Sequence, residues 1–193
     1  MATSSVGQRR RGRRPGGAEP PGLPIEPDRL DGLGLAFCLR KLTAMARTSH
    51  ELGTAMEERG YPGDSIGRVL GRLTELGYVD DKLFAEMWAE SRHRNRGSSR
   101  KALIFELRRK GVGRELIEEA VAQIDGDHER ARAYQLASAK LRSAPARVRQ
   151  DREAIRRKLV AMLARRGYSA GLSYAAVEQA LQDAAAADGH LGL

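Results

Sequence analysis

The sequence is poor in cysteine, in aromatic residues and in long apolar runs, and each shortage excludes a class of protein. Cys38 is the only cysteine in 193 residues, so the chain has neither an internal disulfide nor a cysteine-based metal site. Aromatic residues make up 5% of the chain, which disfavours a β-sheet fold. No apolar stretch approaches the ~20 residues of a membrane span, and the polar N-terminus does not resemble a secretory signal. We therefore expect a cytoplasmic protein without a membrane segment.

Catalytic patterns are also missing. The four histidines do not pair with each other or with cysteine at the i, i+4 spacing of a metal-binding helix. The sequence has no Gly-x-Ser-x-Gly nucleophile elbow, and its glycines follow helical segments rather than forming a phosphate loop. The acidic pair Asp80–Asp81 fits a helix cap better than a general acid/base site. These observations predict a non-enzymatic protein without cofactor or metal.

Charge is abundant and mostly basic. Lysine and arginine number 34 against 25 aspartate and glutamate residues, which gives a formal net charge of +9. Such an excess favours a polyanionic partner, either nucleic acid or an acidic protein surface.

Residues 1–32 differ in composition from the rest of the chain. The segment contains the run Gln8-Arg9-Arg10-Arg11-Gly12-Arg13-Arg14 and is rich in proline and glycine. Because this composition cannot bury a core, we expect a disordered basic tail. The arginine run either touches phosphate backbones weakly or only keeps the chain soluble.

An internal repeat is centred on three glycines, Gly60, Gly111 and Gly167. A basic residue directly precedes each glycine, and apolar residues stand four and eight positions before it. Apolar residues four apart share one helical face, and a glycine after a last turn rich in cations ends a helix. The apolar pairs are Leu52 and Met56, Leu103 and Leu107, and Leu159 and Leu163.

One helix precedes and another follows each of these middle helices, so every unit contains three helices. We predict an all-α fold of three tandem three-helix repeats in an elongated curved array. Such small units are marginal alone and gain stability by stacking. The predicted repeats span residues 33–79, 80–126 and 127–183, followed by a C-terminal tail of residues 184–193.

The basic residues are concentrated in the second and third units. Residues 92–110 contain eight basic residues and one acidic residue, and residues 140–166 contain ten basic and two acidic residues. Residues 80–91 and 111–139 are acidic overall. A general codon bias toward arginine would not distribute charge so unevenly.

The repeat register places these basic residues at matching positions of the second and third middle helices, whereas the first unit is more neutral there. If the units stack alike, they form one basic stripe that suits a phosphate backbone or an acidic filament groove. The alternative is a pair of solvated helix faces. The predicted partner- and nucleic-acid-binding residues are Arg92, Arg94, Arg96, Arg100, Lys101, Arg108, Arg109, Lys110, Arg156, Arg157, Arg165 and Arg166.

Phe105 lies beside this stripe and away from the main core face of its helix. At about 100° per residue, Leu103 and Leu107 cluster toward the core, while Phe105 shares the adjoining flank with Lys101 and Arg108. It therefore either packs on the neighbouring repeat or stacks on a partner residue or a base.

The ordered set of motifs resembles the RecX family of bacterial recombination regulators. No single motif is unique to the family, but the combination is specific and covers roughly residues 35–183. The motifs are Leu39 and Leu42, Arg59-Gly60-Tyr61, Leu76-Gly77-Tyr78-Val79-Asp80-Asp81, Phe84-Ala85, Trp88, the stretch from Arg92 to Gly97, and Leu107-Arg108-Arg109-Lys110-Gly111-Val112.

The resemblance implies a negative regulator of the RecA recombinase. RecX-like proteins lodge in the groove of the RecA filament on single-stranded DNA, block its extension, and suppress ATP hydrolysis, strand exchange and coprotease activity. We accordingly expect a monomer whose partners are the RecA filament and single-stranded DNA, with weaker binding to duplex DNA. The alternative is a regulatory protein that binds DNA directly through the basic helical stripe.

Overall fold

The structure, a computed structural model, describes residues 26–145 and 151–190, with no side-chain description for residues 188–190. The described residues form α-helices and no strand, which confirms the predicted all-α repeat fold. None of these helices is both long and apolar enough to cross a bilayer. The helices are α1 (Pro27–Ala44), α2 (Ser49–Glu57), α3 (Gly63–Glu75), α4 (Asp81–Ser91), α5 (Arg100–Arg109), α6 (Arg114–Ala120), α7 (Gly126–Arg142), α8 (Arg152–Arg165) and α9 (Ala170–His190).

Polar side chains start the three middle helices, α2, α5 and α8. The Thr48 hydroxyl accepts a hydrogen bond from the Glu51 amide at 3.1 Å, and the Glu51 carboxylate accepts one from the Thr48 amide at 3.3 Å. This reciprocal capping box satisfies two amides at the start of α2. Ser99 and Asp151 cap α5 and α8, each accepting from the amide three residues on.

The three repeat glycines end these helices as predicted. Gly60, Gly111 and Gly167 have φ values of 81°, 73° and 89°, in the left-handed region that favours glycine. The amide of the residue after each glycine donates a hydrogen bond of 3.2 to 3.3 Å to the carbonyl of the apolar residue that stands four positions before the glycine. The chain thereby folds back onto the helix it has just left.

Each unit has an apolar core built around the predicted pairs of its middle helix. Helices α1–α3 enclose the first core, α4–α6 the second and α7–α9 the third. All six predicted residues are at most 1% exposed: Leu52, Met56, Leu103, Leu107, Leu159 and Leu163.

The predicted limits of the two tails are partly wrong. Helix α1 begins at Pro27, because proline is well suited to the first turn of a helix. This early turn is anchored by Asp31, which accepts hydrogen bonds of 2.6 Å from both Arg68 and Ser65. The bond from Arg68 lowers the pKa of the Asp31 carboxyl. At the other end, α9 runs to His190, through most of the predicted tail. Residues 1–25 and 191–193 lie outside the described residues.

Candidate nucleic-acid interface

The middle helices α2, α5 and α8 meet end to end. Between the second and third units, the Ser99 amide donates a 2.9 Å hydrogen bond to the carbonyl of Arg166, just after α8. Between the first and second units, the Thr48 hydroxyl donates to the carbonyl of Lys110, just after α5, at 2.6 Å. Each boundary thus joins the positive N-terminal end of one helix to the negative C-terminal end of the next unit's helix.

Gly111 and Gly167 permit this close approach. A Cβ atom at Gly111 would lie 2.1 Å from Cγ of His50, and one at Gly167 would lie 2.6 Å from Oγ of Ser99. Gly60 has the same left-handed backbone, but a Cβ atom there would meet nothing within 4 Å in the described chain. The sequence pattern predicted the helix ends but not these contacts between repeats.

Eight of the twelve predicted binding residues are exposed. Because Arg166 abuts Ser99, the exposed cations at the end of α8 continue into those at the start of α5. Arg94 pairs with Glu90, and Arg157 lies 3.5 Å from Glu153. The charged groups of the other six exposed residues form no salt bridge in the described part of the chain: Arg96, Arg100, Lys101, Arg108, Arg109 and Arg165. The backbone amide of Arg100 donates a 2.7 Å hydrogen bond to Glu129, and its Nε atom donates to the Val121 carbonyl.

Lys110 and Arg92 point inward instead. The Lys110 ammonium lies 2.8 Å from the Glu51 carboxylate of the first unit and 4.4 Å from the centroid of the Trp88 ring. The Arg92 guanidinium lies 4.2 Å from the same ring centroid, and its Nε atom lies 3.5 Å from Glu106. Only 18% of the Lys110 side chain and 21% of the Arg92 side chain is exposed. Both residues therefore stabilise the fold, and Lys110 joins the first unit to the second.

Arg166 joins the second unit to the third. Helix α4 ends in a π-helical turn, Arg92–Arg96, and a helix end leaves carbonyl groups without partners in the helix. Arg166 Nε donates to the Arg96 carbonyl at 3.1 Å, and Arg132 of α7 donates to the Arg94 carbonyl. Sequence reasoning missed Arg132, which lies in a segment that is acidic overall.

Arg156 joins two helices of the third unit. Its Nε atom lies 2.5 Å from Glu178 of α9, and its Nη1 atom lies 3.1 Å from Glu153. The adjacent Glu178 carboxylate raises the pKa of Arg156. Four of the twelve predicted binding residues therefore have charged groups that are bound within the protein: Arg92, Lys110, Arg156 and Arg166. The candidate interface accordingly consists of the eight exposed residues.

The outer face of α5 combines cations with an exposed aromatic ring. Phe105 is 63% exposed, so its packing on a neighbouring repeat, one of the two sequence-based expectations, is excluded. Lys101 precedes it by one turn, and the Arg109 guanidinium lies 5.9 Å from its ring centroid.

A groove that includes Arg94 of the candidate interface carries mixed charge. This groove of about 680 Å³ between α4, α6 and α7 is lined by Glu86, Glu90 and Glu119 together with Arg94 and Arg132. Within residues 26–145 and 151–190, no group of three or more histidine, cysteine or acidic side chains is placed to hold a metal ion.

Comparison with known proteins matches the first two units to two family models. The model for RecX, first three-helix domain, matches residues 35–73, and that for RecX, second three-helix domain, matches residues 80–121. These ranges cover most of α1–α3 and all of α4–α6.

Comparison over most of the chain gives several similar proteins named regulatory protein RecX. The chain is 50% identical over 142 residues to the regulatory protein RecX of Mycolicibacterium vanbaalenii, covering 72% of this chain and 77% of the relative. It is 42% identical over 174 residues to the RecX of Streptomyces coelicolor, covering 90% and 88%. The crystal structure of RecX from Lactobacillus salivarius matches with a TM-score of 0.63 at 18% identity, covering 80% of this chain and 98% of that one. This last match supports the fold alone.

Proposed function

This chain belongs to the RecX family of regulatory proteins, and on that premise we propose that it is a negative regulator of the RecA recombinase. It binds in the groove of the RecA filament on single-stranded DNA and blocks filament extension. ATP hydrolysis, strand exchange and coprotease activity are thereby inhibited. The protein acts by binding and performs no chemistry of its own.

The observation that carries this proposal is the end-to-end arrangement of α8 and α5. The hydrogen bond from the Ser99 amide to the Arg166 carbonyl joins the end of α8, with the exposed Arg165, to the start of α5, with the exposed Arg100 and Lys101. A row of cations that advances from repeat to repeat suits a partner that is itself a repeating polyanion.

The partly buried cations support the same mechanism indirectly. Lys110 and Arg166 fix the two boundaries between repeats, so the exposed cations are held at set spacings. A rigid array loses less conformational entropy on binding than a flexible one. The first unit has Ser49, His50 and Glu58 at the matching positions, so we assign it a contact with protein rather than with DNA.

A second candidate function is direct regulation through DNA binding. It is favoured by the six exposed cations whose charged groups form no salt bridge in the described chain, since their charge is available to phosphate. This alternative predicts tight binding to duplex DNA alone, with a steep dependence on salt.

The test is the single-strand-dependent ATP hydrolysis of RecA with and without this protein. We expect strong inhibition at amounts well below those of RecA, because one molecule blocks the extension of a whole filament. A variant with Lys101, Arg109 and Arg165 all changed to alanine is expected to inhibit weakly while remaining folded. If the unaltered protein inhibits only at amounts that coat the DNA, the second candidate replaces the first.

A further inference from the structure

We propose that the outer face of α5 is a base-stacking site, in which one base of single-stranded DNA stacks on Phe105. This inference deepens the proposed function, on which it rests for the identity of the polyanion. It names the residue that would let the protein distinguish a single strand from a duplex.

The first observation is the exposure of the ring. Phe105 is 63% exposed, whereas Leu103 and Leu107 on the same helix are fully buried. Burial of a phenylalanine side chain stabilises a fold strongly, so a ring left in solvent contributes little to stability and remains available to a ligand.

The second observation is the set of cations around the ring. Lys101 lies one turn before Phe105, and Arg108 and Arg109 lie one turn after it, so all four share a helical face. The Arg109 guanidinium is 5.9 Å from the ring centroid. No carboxylate of the described residues lies within 4 Å of Lys101, Arg108 or Arg109, which leaves their charge available to phosphate groups.

The third observation concerns the acidic side chains near Phe105, which are bound to other residues. Glu106 accepts a 2.9 Å hydrogen bond from Trp88 Nε1 and lies 3.5 Å from Arg92, so it faces α4. Glu118 of α6 lines a groove with Arg100 and Arg108, but its carboxylate is bound to Arg114 at 2.8 Å. The surface around Phe105 is therefore positive, which favours a polyanion over an apolar or basic peptide.

An aromatic ring among cations matches the chemistry of a single strand better than that of a duplex. Cations contact the phosphates of both forms, but only an unpaired base offers a face on which a ring can stack. The matching positions in the other units are Thr54 and Ala161, so each molecule has one such site among its three middle helices.

Phe105→Leu tests the proposal, because leucine keeps an apolar side chain and a good helix former at this position. Binding of the full-length protein to fluorescent oligothymidylate and to duplex DNA of equal length would be measured. We expect the affinity for the single strand to fall about tenfold and that for the duplex to stay within about twofold. The matched control is Met87→Ala, at a residue 61% exposed on the mixed-charge groove, and it is expected to change neither affinity.

An oligonucleotide with abasic sites in place of the bases completes the test. Unaltered protein should bind it as weakly as Phe105→Leu binds the normal strand, and the variant should lose nothing further. Equal losses on single strand and duplex, or no loss on either, overturn the stacking site. Retained single-strand binding with lost RecA inhibition also overturns it, since Phe105 would then contact protein. If base-dependent binding is seen but RecA is not inhibited, the stacking site stands and the proposed function fails.

Discussion

The hydroxyl of Thr48 donates a 2.6 Å hydrogen bond to the carbonyl oxygen of Lys110, across the boundary between the first and second repeats. The same hydroxyl accepts a hydrogen bond from the amide of Glu51. One fully buried side chain thus caps its own helix and holds the next unit in place.

Thr48→Ala is therefore expected to destabilise the protein more than Ser99→Ala. Thr48→Ala removes both a cap and a bond between repeats, and we expect a loss of about 2 to 3 kcal/mol. Ser99→Ala removes only the cap, about 1 kcal/mol, because the bond to Arg166 comes from the Ser99 backbone amide. Urea unfolding measures both. Thr48→Ser should retain most of the stability, and equal losses for the two alanine variants would contradict the double role of Thr48.

Gly111→Ala and Gly60→Ala separate backbone strain from contact between repeats. Both positions have a left-handed φ, so each variant carries a penalty of about 1 kcal/mol. Only at position 111 would the new methyl group clash with His50. Moving His50 away adds about 1 to 3 kcal/mol to the loss of stability in Gly111→Ala. In thermal unfolding, Gly111→Ala should therefore have a clearly lower melting temperature than Gly60→Ala. Similar melting temperatures would show that the boundary between the repeats accommodates the added methyl group without a loss of stability.

Arg109→Ala and Lys110→Ala are expected to give opposite results, although the residues are adjacent. Arg109 is exposed, so its removal should leave stability unchanged and lower the salt dependence of single-strand binding by about one ion. Lys110 is largely buried against Glu51, so its removal should destabilise the fold by about 1 to 2 kcal/mol. Chemical unfolding and salt titrations distinguish them. An unchanged salt slope for Arg109→Ala would remove that residue from the interface.

Tyr168→Phe is expected to preserve or raise stability. The Tyr168 hydroxyl is buried without a hydrogen-bond partner in the described chain, so at about pH 8 the variant should be as stable or up to about 1 kcal/mol more stable. Burial also raises the pKa of Tyr168 to about 12 from 10.0. The folded state then holds the phenol proton more tightly than the unfolded chain, so stability is lost as the pH rises from about 10 to 12.

The measurement is the free energy of unfolding of both proteins over this pH range. Other groups titrate alike in the two proteins, so the advantage of Tyr168→Phe should widen above pH 10. A constant difference would mean that the Tyr168 hydroxyl is solvated in the folded protein.

Part of the candidate site was predictable from sequence and part was not. Counting back from Gly111 placed Arg100 and Lys101 at the start of the middle helix of the second unit, because the helix that ends at Gly111 has a known period. Thr48 and Ser99 each stand twelve residues before a repeat glycine, a shared spacing that could have indicated their role at the boundaries. Arg132 offered no such signal, because its carbonyl partner lies in another unit.

The sequence by itself determined the three-helix unit, its repetition and its buried apolar pairs, because these depend on helical periodicity and on glycine as a helix stop. Only the tertiary structure decided which cations face solvent. Arg109 and Lys110 are equally basic and adjacent, and they differ in role because Glu51, 59 residues away, meets Lys110 across a repeat boundary. The partner of a charge is set by the docking of one unit on the next, which no local pattern encodes.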